Sequence, residues 1–155
     1  MKIIAKGFQN IYLTGEEVLN YVMNNVKIEG LKREEFSSEA ERINFLTAKI
    51  EGRIVGIMGY EYVGDAALVR HGYVRPSHQR MGIGSTLLKI IEEKIRSEGK
   101  VKKIIVGMYR KAYWAVSFWS KHGFTLVGNS EEVLRRYYNI PEVQIRNSIA
   151  MCKEI

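Results

Sequence analysis

Cysteine occurs once in the 155-residue chain, at Cys152, and proline only twice, at Pro76 and Pro141. A single thiol excludes an intrachain disulfide framework and a cysteine-rich metal centre. Histidine is scarce too. His71, His78 and His122 lack the spacing of a metal site, so no metal is expected. No apolar run approaches the roughly 20 residues of a membrane helix, and the amino-terminal residues lack the apolar centre of a secretory signal. A cytoplasmic protein without membrane association is therefore expected. There is no internal repeat, low-complexity tract or linker. With 46% apolar residues, the chain is expected to form one domain over residues 1–155.

The charge is uneven. Lysine and arginine number 24 against 17 acidic residues, a net +7. Residues 75–111 hold ten of the cations (Arg75, Arg80, Lys89, Lys94, Arg96, Lys100, Lys102, Lys103, Arg110, Lys111) against Glu92, Glu93 and Glu98. That segment alone carries the whole excess, which suits a polyanionic ligand drawn in by the local field. Nucleic acid is a rival explanation, but no zinc finger, basic zipper or aromatic RNA-binding motif accompanies the charge.

The element pattern changes character along the chain. Thr14-Gly15-Glu16-Glu17 has capping-box spacing and opens a helix through Val22, and a second helical stretch covers Glu34 to Arg42. Residues 43–50, Ile54–Tyr62 and Ala66–Val74 read as three strands joined by short turns at Glu51-Gly52 and Gly64-Asp65, an antiparallel meander. Beyond Pro76, Ile83, Leu87, Leu88, Ile91 and Ile95 repeat at helical spacing, and Gly99 stops the helix. Ile104–Val106 is a buried strand, parallel to residues 66–74 by the right-handed crossover rule. A helix over 112–122, a strand over 124–127, a helical turn over 131–138 and a closing strand over 143–153 complete an α/β chain of mixed α+β type. Its sheet of six to seven strands is flanked by helices on both faces.

Chemistry gathers where the third strand meets the long helix. Gly82 and Gly84 let the chain enter that helix without side chains over its first amides, a ready anion site at the positive end of the helix dipole. Gly72 lies inside the strand, where glycine marks a bulge or a close approach. A bulge there would splay the strand from its parallel neighbour and free main-chain groups near Tyr73 and Val74 for an extended amide. A diphosphate on the loop and a peptide-like arm on the strand together describe coenzyme A.

Gln79-Arg80-Met81-Gly82-Ile83-Gly84 resembles the Q/R-x-x-G-x-G/A acyl-coenzyme-A signature of the GNAT N-acetyltransferase superfamily. The lead-in Tyr73-Val74-Arg75-Pro76 resembles that family's V-x-P strand end. Ala115-Val116-Ser117-Phe118-Trp119-Ser120-Lys121-His122-Gly123-Phe124 is similar to its second signature, A-x-x-F-Y-x-K-x-G-F. The closing segment from Leu134 to Pro141, with Gln144 and Ser148, resembles that of some members. The likeness covers nearly the whole chain and implies the GNAT fold. It also implies that the amides from Arg80 through Ser85 (Arg80, Met81, Gly82, Ile83, Gly84, Ser85) cradle the diphosphate, with Gln79 among the cofactor-binding residues. Tyr73 and Val74 would hold the pantetheine arm, with Phe118 and Trp119 lining the thioester end. The co-substrate would be acetyl-CoA and the reaction N-acetylation of a primary amine by direct attack in a ternary complex. Family members are often dimers, so a homodimer is among the assemblies implied.

The resemblance breaks at the proton-handling positions. The family's frequent general acid is the tyrosine that Trp119 replaces, and its frequent asparagine is Ala112 here. An indole N–H cannot act as an acid near neutral pH. A thiol of reference pKa about 8.5 leaves tolerably as thiolate, and Tyr109 and Tyr113 are alternative donors. Leu68 and Arg70 occupy strand positions where some members carry the base, which leaves His71 first and Glu61 second as candidates. Two other functions stay open: a catalytically silent acyl-CoA-binding or regulatory domain, and a basic nucleic-acid-binding module. The acceptor amine is expected to lie between residues 14–42 and the loop at 128–142.

Overall fold

The computed structural model describes residues 8–12, 42–50 and 53–155. The first expected helix, the second up to residue 41 and the Glu51-Gly52 turn lie outside these residues.

The described chain has a mixed α+β fold in which a sheet is flanked by helices. Seven strands line up in the order β1-β2-β3-β4-β5-β7-β6. β1 (Phe8–Tyr12) pairs antiparallel with β2 (Asn44–Ile50), from Phe8↔Ile50 to Tyr12↔Leu46. β2 pairs antiparallel with β3 (Arg53–Val63), with a register shift between Ala48 and Lys49. β4 (Ala66–Val74) runs parallel to β5 (Lys103–Tyr109), as the crossover rule requires. β7 (Ser148–Glu154) pairs antiparallel with β5 and with the two-residue β6 (Thr125–Leu126). The helices among the described residues are α1 (Ile83–Glu98), α2 (Tyr113–Lys121), α3 (Ser130–Tyr137) and α4 (Glu142–Arg146).

The chain clusters into two compact units, residues 1–61 with 70–94 and residues 62–69 with 95–155. In the first, Phe45, Leu46, Val55, Ile57 and Met58 are buried, as are Ile83, Leu87, Leu88 and Ile91 of α1. Each such aliphatic side chain contributes about 1.5–3 kcal/mol when removed from water. Gly56 lets α1 come close: a Cβ there would lie 3.1 Å from Ile83 Cγ2 and 3.3 Å from the Tyr73 carbonyl oxygen. Gly99, at φ 64, ends α1 in the left-handed conformation that glycine adopts without penalty.

In the second unit, Ala66, Leu68 and Ile105 pack with Leu134, Tyr137 and Tyr138 of the α3 region, Ile145 of α4 and Ala150 of β7. At its edge the Tyr137 hydroxyl donates to Asp65, and Lys103 Nζ lies 3.3 Å from the same carboxylate.

Two expectations are corrected, and one strand is added. The closing strand expected over 143–153 begins only at Ser148, because Glu142–Arg146 form a helix behind Pro141. Pro141 suits a helix start, since its missing N–H would have no intrahelical partner there, and Glu142 sits favourably at the positive end. The strand expected over 124–127 shrinks to Thr125–Leu126. β1 was not anticipated at all; five residues of weak alternation leave little signal, and its identity as a strand comes from its ladder with β2.

Candidate functional site

The parallel ladder between β4 and β5 comprises Ala67↔Ile104, Leu68↔Ile105 and Val69↔Val106. Two residues past its end, His71 has φ 55. The left-handed residue is thus His71 and not Gly72, whose place in the strand has another cause. A Cβ on Gly72 would lie 3.3 Å from Met58 Cε, so the glycine makes room for that side chain.

Residue His71 breaks the alternation of β4. Gly59 and Glu61 are two apart on β3 and share a face. A Cβ on Gly59 would lie 2.9 Å from Phe45 Cε1, which puts Phe45 on that face as well. The Phe45 and His71 rings are 6.1 Å apart, and Arg70 Nη1 lies 3.8 Å from Glu61 Oε1. Consecutive residues Arg70 and His71 therefore both reach the Glu61 face, the consequence of a bulge. Tyr73 joins them, its hydroxyl 3.3 Å from His71 Nδ1. The opposite face, with Gly56 and Met58, is the one that α1 covers through Ile83 and Leu87.

Glu61 is only 5% exposed, and Arg42 Nη1 lies 3.8 Å from its Oε2. That oxygen is the buried side-chain polar atom without a hydrogen-bond partner among the described residues. An ionised carboxylate oxygen in such a place costs free energy unless something donates to it.

Beyond Val74 the chain makes a 3-10 turn, Pro76–His78, anchored by Arg75. The Arg75 amide donates to the Val55 carbonyl and its Nε to the Ile54 carbonyl, both at 2.7 Å. Gln79 Nε2 donates to the Val74 carbonyl at 3.2 Å. Arg80 then takes φ 63 and Gly82 φ 80, and α1 starts at Ile83. His71 and Arg80 are the two non-glycine residues with positive φ among the described residues, and each costs about 1–3 kcal/mol of local strain. Strain of this kind clusters where a backbone is shaped for a ligand.

The start of α1 has features that suit an anion. Left-handed residues flank Met81, a geometry that turns successive amides toward one side. The helix dipole adds positive potential, and no acidic side chain stands in the first turn to neutralise it. The Gly82 carbonyl is tied down by the Thr86 amide at 2.9 Å and the Thr86 hydroxyl at 2.8 Å, which fixes the entry angle of the loop. Arg80 and Met81 are exposed, and Gly82, Gly84 and Ser85 are half-buried. A diphosphate fits this loop by charge and by access to main chain.

The acetyltransferase (GNAT) domain family matches residues 41–126, more than half of the chain. The chain belongs to the GNAT acetyltransferase family. No match is found among curated proteins. Several solved structures share the fold at low identity. One is the PaiA N-acetyltransferase of Thermoplasma acidophilum in complex with coenzyme A (17% identity, TM-score 0.71, covering 96% of this chain and 99% of that one). Another is a GNAT family acetyltransferase of Elizabethkingia anophelis with acetyl-CoA bound (16%, TM-score 0.71, 97% and 100%). A third is the ribosomal-protein-S18-alanine N-acetyltransferase of Escherichia coli (18%, TM-score 0.73, 96% and 94%).

The second signature of this GNAT chain lies in the second unit. Trp119 is 7% exposed and packs edge-to-face against Phe118 and Phe124, each with ring centres 5.0 Å away. Phe118 is half-buried and also meets the His122 ring at 4.6 Å. Ala112 is buried before α2 and supplies no side-chain cap. Tyr109, Tyr113 and Trp114 are exposed at 54%, 76% and 76%. His78 is held by Ser77, Oγ to Nδ1 2.7 Å, beside the 3-10 turn. Cys152 sits in β7, where burial raises its thiol above the usual range and makes it a poor nucleophile.

Among the described residues no three His, Cys, Asp or Glu side chains converge as metal ligands, and no helix is long and apolar enough to cross a membrane. Sequence reasoning pointed to His71 and Glu61 separately. It did not find Arg42 and Arg70 beside Glu61, nor the shared face that the left-handed His71 creates.

Proposed function

We propose that this GNAT protein transfers the acetyl group of acetyl-CoA to a primary amine by direct attack in a ternary complex. The observation that carries this reading is the loop in which left-handed Arg80 and Gly82 lead into α1, directly after a strand bulged at His71. The main-chain amides from Arg80 to Ser85 take the diphosphate, and Gln79 positions the preceding turn through its bond to the Val74 carbonyl. That carbonyl has a second lone pair, so Tyr73 and Val74 can still hold the pantetheine amides as an added strand would be held.

In the transfer, the amine gives up a proton and its nitrogen lone pair forms the C–N bond to the thioester carbonyl carbon. The C–S bond then breaks and sulfur leaves with the electron pair. The nitrogen sheds its second proton, and the thiolate takes one from solvent. Relative to an ammonium substrate, one proton is released overall. Glu61 and His71 are the proposed proton acceptors, on the face that β4 and β3 share. Orientation and main-chain stabilisation of the oxyanion supply most of the acceleration.

A second reading, a silent acyl-CoA-binding domain, draws on Trp119 and Ala112 standing where the family often has tyrosine and asparagine. Thiol release from acetyl-CoA with a broad panel of amines separates the two. Amine-dependent release is expected, whereas binding of acetyl-CoA with no release across the panel favours the silent domain.

A further inference from the structure

The Glu61 face carries one more assignment, which rests on the acyltransferase reading and names its acceptor. Glu61 offers a buried oxygen, Oε2, without a hydrogen-bond partner among the described residues. The donor that an acetyltransferase would bring to such an oxygen is the acceptor's nitrogen. Oε2 is not alone. Arg42 Nη1 lies 3.8 Å from it, too far for a hydrogen bond and near enough to share one small ligand. The Arg42 side chain is 54% exposed, which leaves it open to a ligand from solvent. Arg70 holds the other carboxylate oxygen at 3.8 Å and keeps the Glu61 head group in place.

We infer that the acceptor is an amine carrying a carboxylate close to its nitrogen, the ammonium meeting Glu61 Oε2 and the carboxylate meeting Arg42. A negative oxygen and a guanidinium side by side are the complement of a zwitterion. The same pair disfavours a polyamine, whose second cation would approach Arg42. The half-buried rings of His71 and Tyr73, with Phe45 beside them, give the carbon skeleton an apolar wall on this face. Free amino acids and short acidic peptides both present this chemistry.

The test uses the purified full chain with acetyl-CoA and matched acceptors. These are glutamate, the dipeptide Ala-Glu, its fully amidated analogue, and spermidine. Thiol release is followed, with calorimetric titration of acetyl-CoA in parallel. The expected result is at least tenfold higher kcat/KM for a carboxylate-bearing acceptor than for the amide or spermidine. Glutamate against Ala-Glu distinguishes the free amino acid from the peptide. In Arg42→Gln, an exposed change, the carboxylate-to-amide ratio should fall toward one through a higher KM for the carboxylate acceptor. Equal or better use of the amide or spermidine overturns the assignment, as does an unchanged ratio in Arg42→Gln. Acetyl-CoA bound but no acceptor in the panel used also overturns it. Failure to bind acetyl-CoA overturns the acyltransferase reading itself, and the acceptor with it.

Discussion

Arg75 reaches from the start of the 3-10 turn back to β3, its Nε donating to the Ile54 carbonyl at 2.7 Å while its amide donates to Val55. One residue thereby clamps the chain between the bulged strand and the loop proposed to bind the diphosphate to its neighbour strand. A charged donor on a carbonyl contributes about 1.5–3 kcal/mol, and partial exposure of Arg75 places it at the lower end. Arg75→Ala should lower stability in urea by about 1.5 kcal/mol. It should also weaken acetyl-CoA several-fold, as read by calorimetry. Stability loss without any change in affinity would show that the clamp does not shape the loop.

Gly56 tests the seat of α1. An added methyl would stand 3.1 Å from Ile83 Cγ2 and 3.3 Å from the Tyr73 carbonyl, so either the helix or the strand must give way. Gly56→Ala should destabilise by about 1–3 kcal/mol in urea unfolding, the usual cost of overpacking. Because Ile83 opens α1, acetyl-CoA affinity should fall too.

The long crossover was legible because punctuation and period agree. Gly64-Asp65, Pro76, the two loop glycines and Gly99 bound a strand and a helix whose apolar residues repeat at the right spacing, and Leu87, Leu88, Ile91 and Ile95 are all buried. His71 was not legible as the left-handed residue. A sequence points to glycine for positive φ, yet Gly72 is used for its missing side chain against Met58, and the strain falls on its neighbour. Glu61 was found as a charged residue on a strand, but its burial and its two arginines depend on strand pairing, which no local pattern encodes. At the carboxyl end, Val143 and Ile145 mimic strand alternation, while Pro141 and Glu142 carried the helix-start signal that alternation masked.

Trp119 tests how much of the second signature is structural. It is 7% exposed between Phe118 and Phe124. Trp119→Ala should cost about 3–5 kcal/mol in denaturant unfolding, as for other buried tryptophans. Trp119→Tyr keeps much of the packing and adds a phenol. If thiol protonation limits turnover, kcat should rise in that variant with KM for the acceptor little changed.

Asp65 links stability to pH. The hydroxyl of Tyr137, then Lys103, holds its carboxyl below the usual carboxylate value of 3.8. A group depressed in the folded state contributes stability that is present above its unfolded pKa and is lost as pH falls through the folded value. Wild-type stability should therefore decline below about pH 4, near the reference aspartate value. Asp65→Asn should show a shallower decline in the same range. Denaturant midpoints from pH 2.5 to 6 make the comparison, and parallel curves would remove Asp65 from the acid limb.

Acetyl-CoA is proposed to sit on the loop where Arg80 and Gly82 lead into α1. Gly82 has φ 80, a conformation that a β-branched residue resists, and a side chain there would also cover the amides. Calorimetric titration of acetyl-CoA into wild-type protein and into Gly82→Val, with circular dichroism confirming that both are folded, tests it directly. Saturable binding to wild type and at least a tenfold loss in folded Gly82→Val is the predicted result. Equal affinity in the two proteins would contradict it.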